Sequence, residues 1–237
     1  MARIARIILP NQVYLVTHRA GPRGKLFFSD DDRRQYLEWL RLYADEYKME
    51  VWAYCLLKDQ VQLLVVGRRK DSLAQAIGRT HMRYSRRVNS SRGWEGSLWA
   101  DRFSSTLVQD TLVTQAARFV ETSPVHDKIE KKAEKFPWSS ARAHALGKKD
   151  PVLEPSRPLP GRIRNWAVWL KDELNPDVEA KLLRNMTTGR PTGADEWLAK
   201  LEKKLGIPLV LRKRGPKPKP AVAPRPAKPR KKPARRK

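Results

Sequence analysis

The chain has 237 residues, with 50 Lys and Arg against 25 Asp and Glu, so its formal net charge is +25. This balance favours a polyanion as partner over an acidic membrane surface or a basic tail without a binding role. The single cysteine, Cys55, excludes an internal disulfide framework, and no apolar run reaches the roughly 20 residues of a membrane span. We therefore expect a cytoplasmic, nucleoid-associated protein with no membrane partner.

Strands and a helix alternate in the first part of the chain. Residues 12–19 alternate and are rich in β-formers, which predicts a strand. Residues 30–48 follow a helical period, and Ser29 or the first aspartate of this range caps the helix. Residues 50–57 and 61–66 predict two further strands, which a tight turn joins into a hairpin.

The elements after the hairpin complete a recognisable order. Residues 72–89 predict a helix, residues 98–108 a β segment, and residues 111–122 a helix that ends before Pro124. The order β-α-β-β-α-β with one more helix predicts an α+β fold. We expect a ferredoxin-like split βαβ antiparallel sheet with helices on one face.

Proline content divides the chain. Five prolines fall between residues 137 and 160, which indicates a boundary. The predicted domains are a core at 1–145, a Pro-rich linker at 146–160, a helical extension at 161–211 and a disordered Lys/Arg/Pro tail at 212–237.

The C-terminal extension and the tail differ in composition. Residues 161–186 and 192–205 each predict a helix. Residues 212–237 hold 13 Lys and Arg, seven Pro, no acid and no aromatic residue, so they cannot bury a core. Residues 1–211 still hold 37 cations against 25 acids. The basic character therefore does not belong to the tail alone.

Short segments in a fixed order carry a family resemblance. They are AYCLLKDQVQLLV at 53–65, RYSRRVN at 83–89, GSLWADRFSSTLV at 96–108, ARFVETSPV at 117–125 and FPWSSARAH at 136–144. Together with TGRPTGADEWLAKLEKKLG at 188–206, they resemble the HUH single-tyrosine transposases, in particular the REP-associated tyrosine transposases. The resemblance implies recognition of single-stranded hairpin DNA and a dimer, either of two copies or with an active relative.

The resemblance also implies a catalytic site that this chain has lost. In the family, a His-x-His strand holds a divalent metal against the scissile phosphate, and a tyrosine on a later helix attacks that phosphate. These positions fall on Gln60, Gln62 and Phe119. Amide oxygens can ligate a hard cation such as Mg²⁺, but a phenyl ring cannot form the covalent intermediate. We expect no intact catalytic residue, no metal ligand and no cofactor, with a divalent metal such as Mg²⁺ only if activity is retained.

Two groups of residues are candidates for a replacement site. Tyr84 could act as a displaced nucleophile, although helix packing or base stacking would also explain it. Glu121, His126 and Asp127 could form a makeshift metal site, although a lone loop histidine is usually solvated. The other histidines show no ligand spacing in the sequence: His18, His81 and His144.

Binding chemistry remains in three regions. Trp94, Trp99 and Phe103 form an aromatic segment beside Arg102, which predicts either a stacking platform or core packing. The tail resembles a minor-groove arm of the AT-hook type, but Pro216 stands where the second arginine belongs, so we expect non-specific phosphate binding. The predicted DNA contacts are Arg83, Tyr84, Arg86, Arg87, Arg102, Arg212, Lys213, Arg214, Lys217 and Lys219.

The sequence therefore favours a transposase-like protein that binds single-stranded or hairpin DNA of the REP type without cleaving it. One alternative is an active DNA-nicking transposase that uses a displaced nucleophile. The other is an RNA-binding protein, because a ferredoxin-like sheet with a basic tail also suits RNA.

Overall fold

The computed structural model describes residues 6–155, 159 and 163–209. One antiparallel sheet has the strand order β2-β3-β1-β4. Its strands are β1 (Val13–Arg19), β2 (Met49–Leu56), β3 (Gln60–Gly67) and β4 (Ser104–Leu107). The crossover helices are α1 (Asp30–Glu46), between β1 and β2, and α2 (Ser72–Arg92), between β3 and β4. The predicted mixed α+β fold with a ferredoxin-like sheet is confirmed.

Five further helices follow β4 in the described part of the chain. They are α3 (Val113–His126), α4 (Ala141–Leu146), α5 (Trp166–Trp169), α6 (Pro176–Thr188) and α7 (Asp195–Leu205). The helix predicted at 161–186 is broken, because Asn175 caps a new helix whose first residue is Pro176. The strand predicted at 98–108 is also shorter, since residues 98–103 run as a loop.

Helices cover both faces of the sheet. On β3, Leu63 and Val65 pack in one apolar cluster with α1 and α2, whereas Leu64 and Val66 pack in a second cluster with α3. This alternation follows from the two-residue period of a strand. The crossover helices lie on one face as expected, but α3 and α6 cover the face that the prediction left open.

The start of α1 follows from the residues at its N-terminus. The Ser29 hydroxyl accepts the backbone N–H of Asp32, and the Asp32 carboxylate accepts the backbone N–H of Ser29. This capping box satisfies two N–H groups that a helix start otherwise leaves unpaired. Asp30 and Asp31 add negative charge at the positive helix end.

The C-terminal extension contacts the sheet directly. The Thr106 hydroxyl on β4 donates to the carbonyl of Asn185 on α6 at 2.9 Å. The backbone N–H of Thr192 donates to the carbonyl of Leu107 at 2.7 Å, and Gln109 returns a bond to Thr192. The division into domains at 1–145, 146–160 and 161–211 stays a prediction. The predicted disordered tail at 212–237 lies outside the described residues.

Within those residues, no helix is both long and apolar enough to cross a membrane.

Candidate functional site

Gln60 and Gln62 lie on the face of the sheet that α3 covers. Along β3 they alternate with Val61 and Leu63, which pack in the cluster with α1 and α2. Gln60 and Gln62 are 8% and 5% exposed. The Ser123 hydroxyl on α3 is 2.9 Å from the Gln62 side-chain oxygen and 2.9 Å from the carbonyl oxygen of Phe119. The fold therefore brings the strand position and the helix position together, as the resemblance implies.

Phe119 is part of the apolar core at this site. Its side chain is 4% exposed and packs in the cluster that contains Leu64 and Val120. A phenyl ring supplies neither an acceptor nor a nucleophilic oxygen. At this position the site therefore contributes packing alone.

All the tyrosines of the chain lie on the opposite side of the sheet. Each belongs to the α1/α2 cluster or packs against it: Tyr14, Tyr36, Tyr43, Tyr47, Tyr54 and Tyr84. The Tyr84 hydroxyl donates to the carbonyl of Leu26 at 2.8 Å, and burial raises the pKa of Tyr84. Tyr84 is 0% exposed. Its predicted DNA contact and its use as a displaced nucleophile are therefore wrong, and the packing alternative is the one observed.

Cations on the outer face of α2 form a basic surface. Arg83 and Arg86 are exposed, and Arg83 lies over the Trp39 ring at 4.9 Å. Arg87 differs, because it pairs with Asp31 on α1 at 2.6 Å. Arg83 and Arg86 therefore keep the surface position that phosphate binding needs, whereas Arg87 is partly neutralised.

The aromatic segment after α2 divides into two environments. Trp99 and Phe103 are both 6% exposed, and Trp99 stacks on His81 at 4.0 Å between ring centroids. They are core residues, which was one of the two alternatives. Trp94 is half-buried on the surface, and Arg102 is exposed beside a cavity of about 180 Å³ that Gln60 also lines. The predicted tail contacts at 212–219 lie outside the described residues.

Comparison with known families finds a match in the core of the chain. The family described as "Transposase IS200 like" matches residues 12–123, which run from β1 into α3. Residues 12–123 are thus similar to this family over just under half of the chain, and we call them the transposase IS200-like domain after this match. The matched span contains Gln60, Gln62 and Phe119.

A solved structure shares the fold of the chain. A REP-associated tyrosine transposase bound to a REP hairpin matches with a TM-score of 0.53 and 13% identity, over 69% of this chain and 99% of that chain. A protein from Deinococcus radiodurans R1, described as a candidate transposase, matches with a TM-score of 0.36 and 18% identity, over 51% and 96%. No curated protein matches the chain. At 13% identity, the first match shows the fold alone.

The two glutamines do not fit a divalent metal. The Gln62 amide is engaged by Ser123, and the described residues contain no group of three His, Cys, Asp or Glu side chains placed to hold a metal ion. The makeshift site at Glu121, His126 and Asp127 is not formed. His126 lies 3.5 Å from Glu179 instead.

Glu121 belongs to a different cluster, in which its own carboxylate is buried. Its carboxylate accepts hydrogen bonds from the Ser140 hydroxyl at 2.5 Å, from His144 Nδ1 at 2.5 Å and from Trp166 Nε1 at 2.6 Å. The side chain of Glu121 is 0% exposed. These donors come from α4, its preceding turn and α5, so the cluster fastens the extension to α3.

Two histidines that lie 63 residues apart in sequence meet in the α1/α2 core. His18 Nε2 is 2.7 Å from the carbonyl oxygen of Asp101, so this nitrogen carries a hydrogen and donates. His18 Nδ1 and His81 Nδ1 lie 2.9 Å apart, and His81 Nε2 lies 2.9 Å from the Tyr36 hydroxyl. Burial, with His18 as a neighbour, lowers the pKa of His81 well below its ordinary value. The two rings thus have partners on both of their nitrogens, which sequence spacing could not indicate.

Proposed function

We propose that the transposase IS200-like domain binds single-stranded or hairpin DNA and does not cleave it. The observation that carries this proposal is Phe119, a buried ring without a hydroxyl at the position that the resemblance assigns to the catalytic tyrosine, whose backbone carbonyl shares the Ser123 hydroxyl with Gln62. Removing a nucleophile that works as part of a unit costs on the order of 10⁶ in kcat. The covalent step of the family therefore has no group to perform it here.

A displaced nucleophile finds no support in the placement of the tyrosines. A replacement hydroxyl would have to reach a phosphate held at Gln60 and Gln62. Every tyrosine instead packs in or against the cluster on the other side of the sheet. The sheet itself separates such a hydroxyl from the site. Binding without cleavage thus accounts for the described residues better than an active enzyme does.

Charge and surface chemistry support a nucleic-acid partner. The chain carries a net charge of +25, and Arg83 and Arg86 are exposed on α2. Phosphate contacts by such cations supply most of the affinity for nucleic acid. The REP-associated tyrosine transposase that shares the fold is bound to a REP hairpin in its solved structure. By extension, we infer that a DNA hairpin is the ligand class of this protein and that it acts at the nucleoid.

RNA binding is the second candidate, and the covered sheet disfavours it. RNA-binding modules with a four-stranded sheet stack bases on aromatic residues of an open face. Here α1 and α2 cover one face, and α3 and α6 cover the other. The proposal also includes a dimer, either of two copies or with an active relative. No contact among the described residues supports the dimer.

Fluorescence anisotropy with a labelled DNA hairpin tests the proposal. We expect the full chain to bind the DNA hairpin more tightly than an RNA hairpin of matched sequence. The double variant Arg83→Gln/Arg86→Gln should reduce the slope of log K against log salt by about 1.4 to 1.8, since each lost contact removes about 0.7 to 0.9. The matched control is Arg34→Gln/Arg41→Gln, which removes two exposed α1 arginines that face Asp31 and Asp45. No binding by the full chain, or tighter RNA binding, would overturn the proposal.

A further inference from the structure

Three cations surround two aromatic rings where α2 ends. Phe28 and Trp94 meet edge to face with ring centroids 5.5 Å apart. The Arg92 guanidinium lies 3.9 Å from the Phe28 centroid and 5.2 Å from that of Trp94. Arg23 lies 4.8 Å over Trp94, and the Lys25 ammonium lies 5.0 Å over Phe28. We call these five residues the Phe28–Trp94 cluster.

The backbone holds Trp94 in a fixed position on the surface. Gly93 ends α2 with φ of 61°, a left-handed conformation that glycine adopts without strain. The N–H of Trp94 then donates to the carbonyl of Asn89 at 2.9 Å, and the Asn89 side chain donates to the carbonyl of Gly96 at 2.8 Å. The loop is thus pinned on both sides of a half-buried indole ring, which lowers the entropy cost of binding.

The cations keep donors available for a ligand. Arg92 and Lys25 make no hydrogen bond or salt bridge within the described residues. Arg23 donates only to two backbone carbonyls, those of Glu95 and Ser97. A guanidinium stacked on a ring presents its N–H edge outward, which suits bidentate phosphate binding.

The neighbouring acids are mostly engaged elsewhere. Asp31 pairs with Arg87, and the Asp32 carboxylate accepts the backbone N–H groups of Phe28 and Ser29. In the loop between α2 and β4, the exposed acids are Glu95 and Asp101. The cluster therefore keeps an excess of positive charge beside an aromatic ring.

We propose that the Phe28–Trp94 cluster binds an unpaired nucleotide of single-stranded DNA, with phosphate held by Arg92, Arg23 and Lys25 and the base stacked on Trp94. Single-stranded binding sites combine a cationic path for the backbone with aromatic rings that stack bases in a sequence-tolerant way. This inference rests on the proposed function and deepens it, because it assigns the unpaired part of a DNA ligand to a defined surface. It is distinct from the α3 face that carries Gln62 and Phe119.

Salt-dependent binding of labelled dT15 tests the cationic half of the site. The triple variant Arg23→Gln/Lys25→Gln/Arg92→Gln should reduce the slope of log K against log salt by about 2, since three phosphate contacts on a single strand contribute about 0.7 each. The control removes the same charge elsewhere, as Arg34→Gln/Arg41→Gln/Lys149→Gln; these three residues line a separate groove. The control should leave the slope unchanged.

Trp94 variants test the stacking half. Trp94→Leu should weaken dT15 binding about 5- to 150-fold, the range that corresponds to 1–3 kcal/mol per stacked base. Trp94→Phe keeps a ring and should restore most of the affinity, which separates stacking from a folding defect. A fully paired 15-bp duplex should bind equally well to the wild type and to Trp94→Leu.

The outcomes distinguish this site from the general proposal. If the wild type binds dT15 but the triple variant matches its control, or Trp94→Leu binds like the wild type, the site is wrong and DNA binding stands. If the wild type binds no DNA at all, the proposed function fails, and the site fails with it. Equal losses for Trp94→Leu and Trp94→Phe would also overturn stacking.

Discussion

Replacing Glu121 with glutamine tests how the extension is fastened to the transposase IS200-like domain. The Glu121 carboxylate is fully buried and accepts three hydrogen bonds, two on one oxygen and one on the other. Ser140 and His144 share the first oxygen, and Trp166 occupies the second. An amide keeps one accepting oxygen, so Glu121→Gln must turn its NH₂ group toward one set of donors.

Of the two orientations of the amide, the one that gives up the bond to Trp166 loses fewer hydrogen bonds. Keeping Ser140 and His144 on the amide oxygen sacrifices the 2.6 Å bond to Trp166 Nε1 and weakens the other two by removing the charge. A hydrogen bond to a charged group contributes about 1.5–3 kcal/mol, and a buried donor left unpaired costs about 1–3 kcal/mol. We expect Glu121→Gln to lower the free energy of unfolding by about 2–4 kcal/mol. At about 2–4 °C per kcal/mol for a chain of this size, the Tm should fall by roughly 5–15 °C.

Urea unfolding followed by circular dichroism measures this change. The control is Glu173→Gln, at an exposed carboxylate, and should stay within about 0.5 kcal/mol of the wild type. A double-mutant cycle with Trp166→Phe should give a coupling of about 0.5–3 kcal/mol between Glu121 and Trp166. A loss below about 0.5 kcal/mol for Glu121→Gln, or no coupling, would refute the anchoring role.

Three further predictions concern stability and charge. Because the folded chain keeps His81 neutral, the unfolded chain gains a proton below about pH 6.5 that the folded chain rejects. The stability that His81 contributes is fully present above that pH and is lost below it. Between pH 7.5 and 5.5, urea titrations should show the free energy of unfolding falling by about 1.4 kcal/mol more in the wild type than in His81→Gln. Equal losses in the two proteins would contradict this prediction. Gly193→Ala should destabilise by about 1–3 kcal/mol in thermal unfolding, since its Cβ would lie 2.4 Å from the Trp197 ring, whereas Gly78→Ala in open space should be neutral or stabilising. Deleting residues 212–237 should flatten the salt dependence of DNA binding, and an unchanged slope would show that the tail makes no phosphate contacts.

Local patterns in the sequence predict most of the core fold. The period-2 alternation of residues 61–66 and the acid-rich start of α1 follow from rules that act over a few residues. The break before α6 had a readable signal as well, because Asn175 followed by Pro176 is a cap with proline at the first helical position. The helical period on either side of it masked that signal.

Contacts between distant residues could not be predicted in this way. His18 meets His81 only because β1 and α2 pack together, and Glu121 meets Trp166 across the Pro-rich segment. The proximity of Gln62 to α3 came from the family resemblance, since no local rule joins the two. Tyr84 shows the limit most clearly, because its basic neighbours suggested a surface position while its ring lies on the buried side of α2.

Incubation of the full chain with labelled single-stranded hairpin DNA and Mg²⁺ or Mn²⁺ tests the central claim most directly. A native gel measures binding, and a denaturing gel measures nicked DNA and covalent protein–DNA adducts in the same samples. Because the resemblance assigns the nucleophile's position to Phe119, which has no hydroxyl, we predict a retarded complex in the native gel and neither nick nor adduct in the denaturing gel. A covalent adduct formed by the wild-type chain would contradict the account.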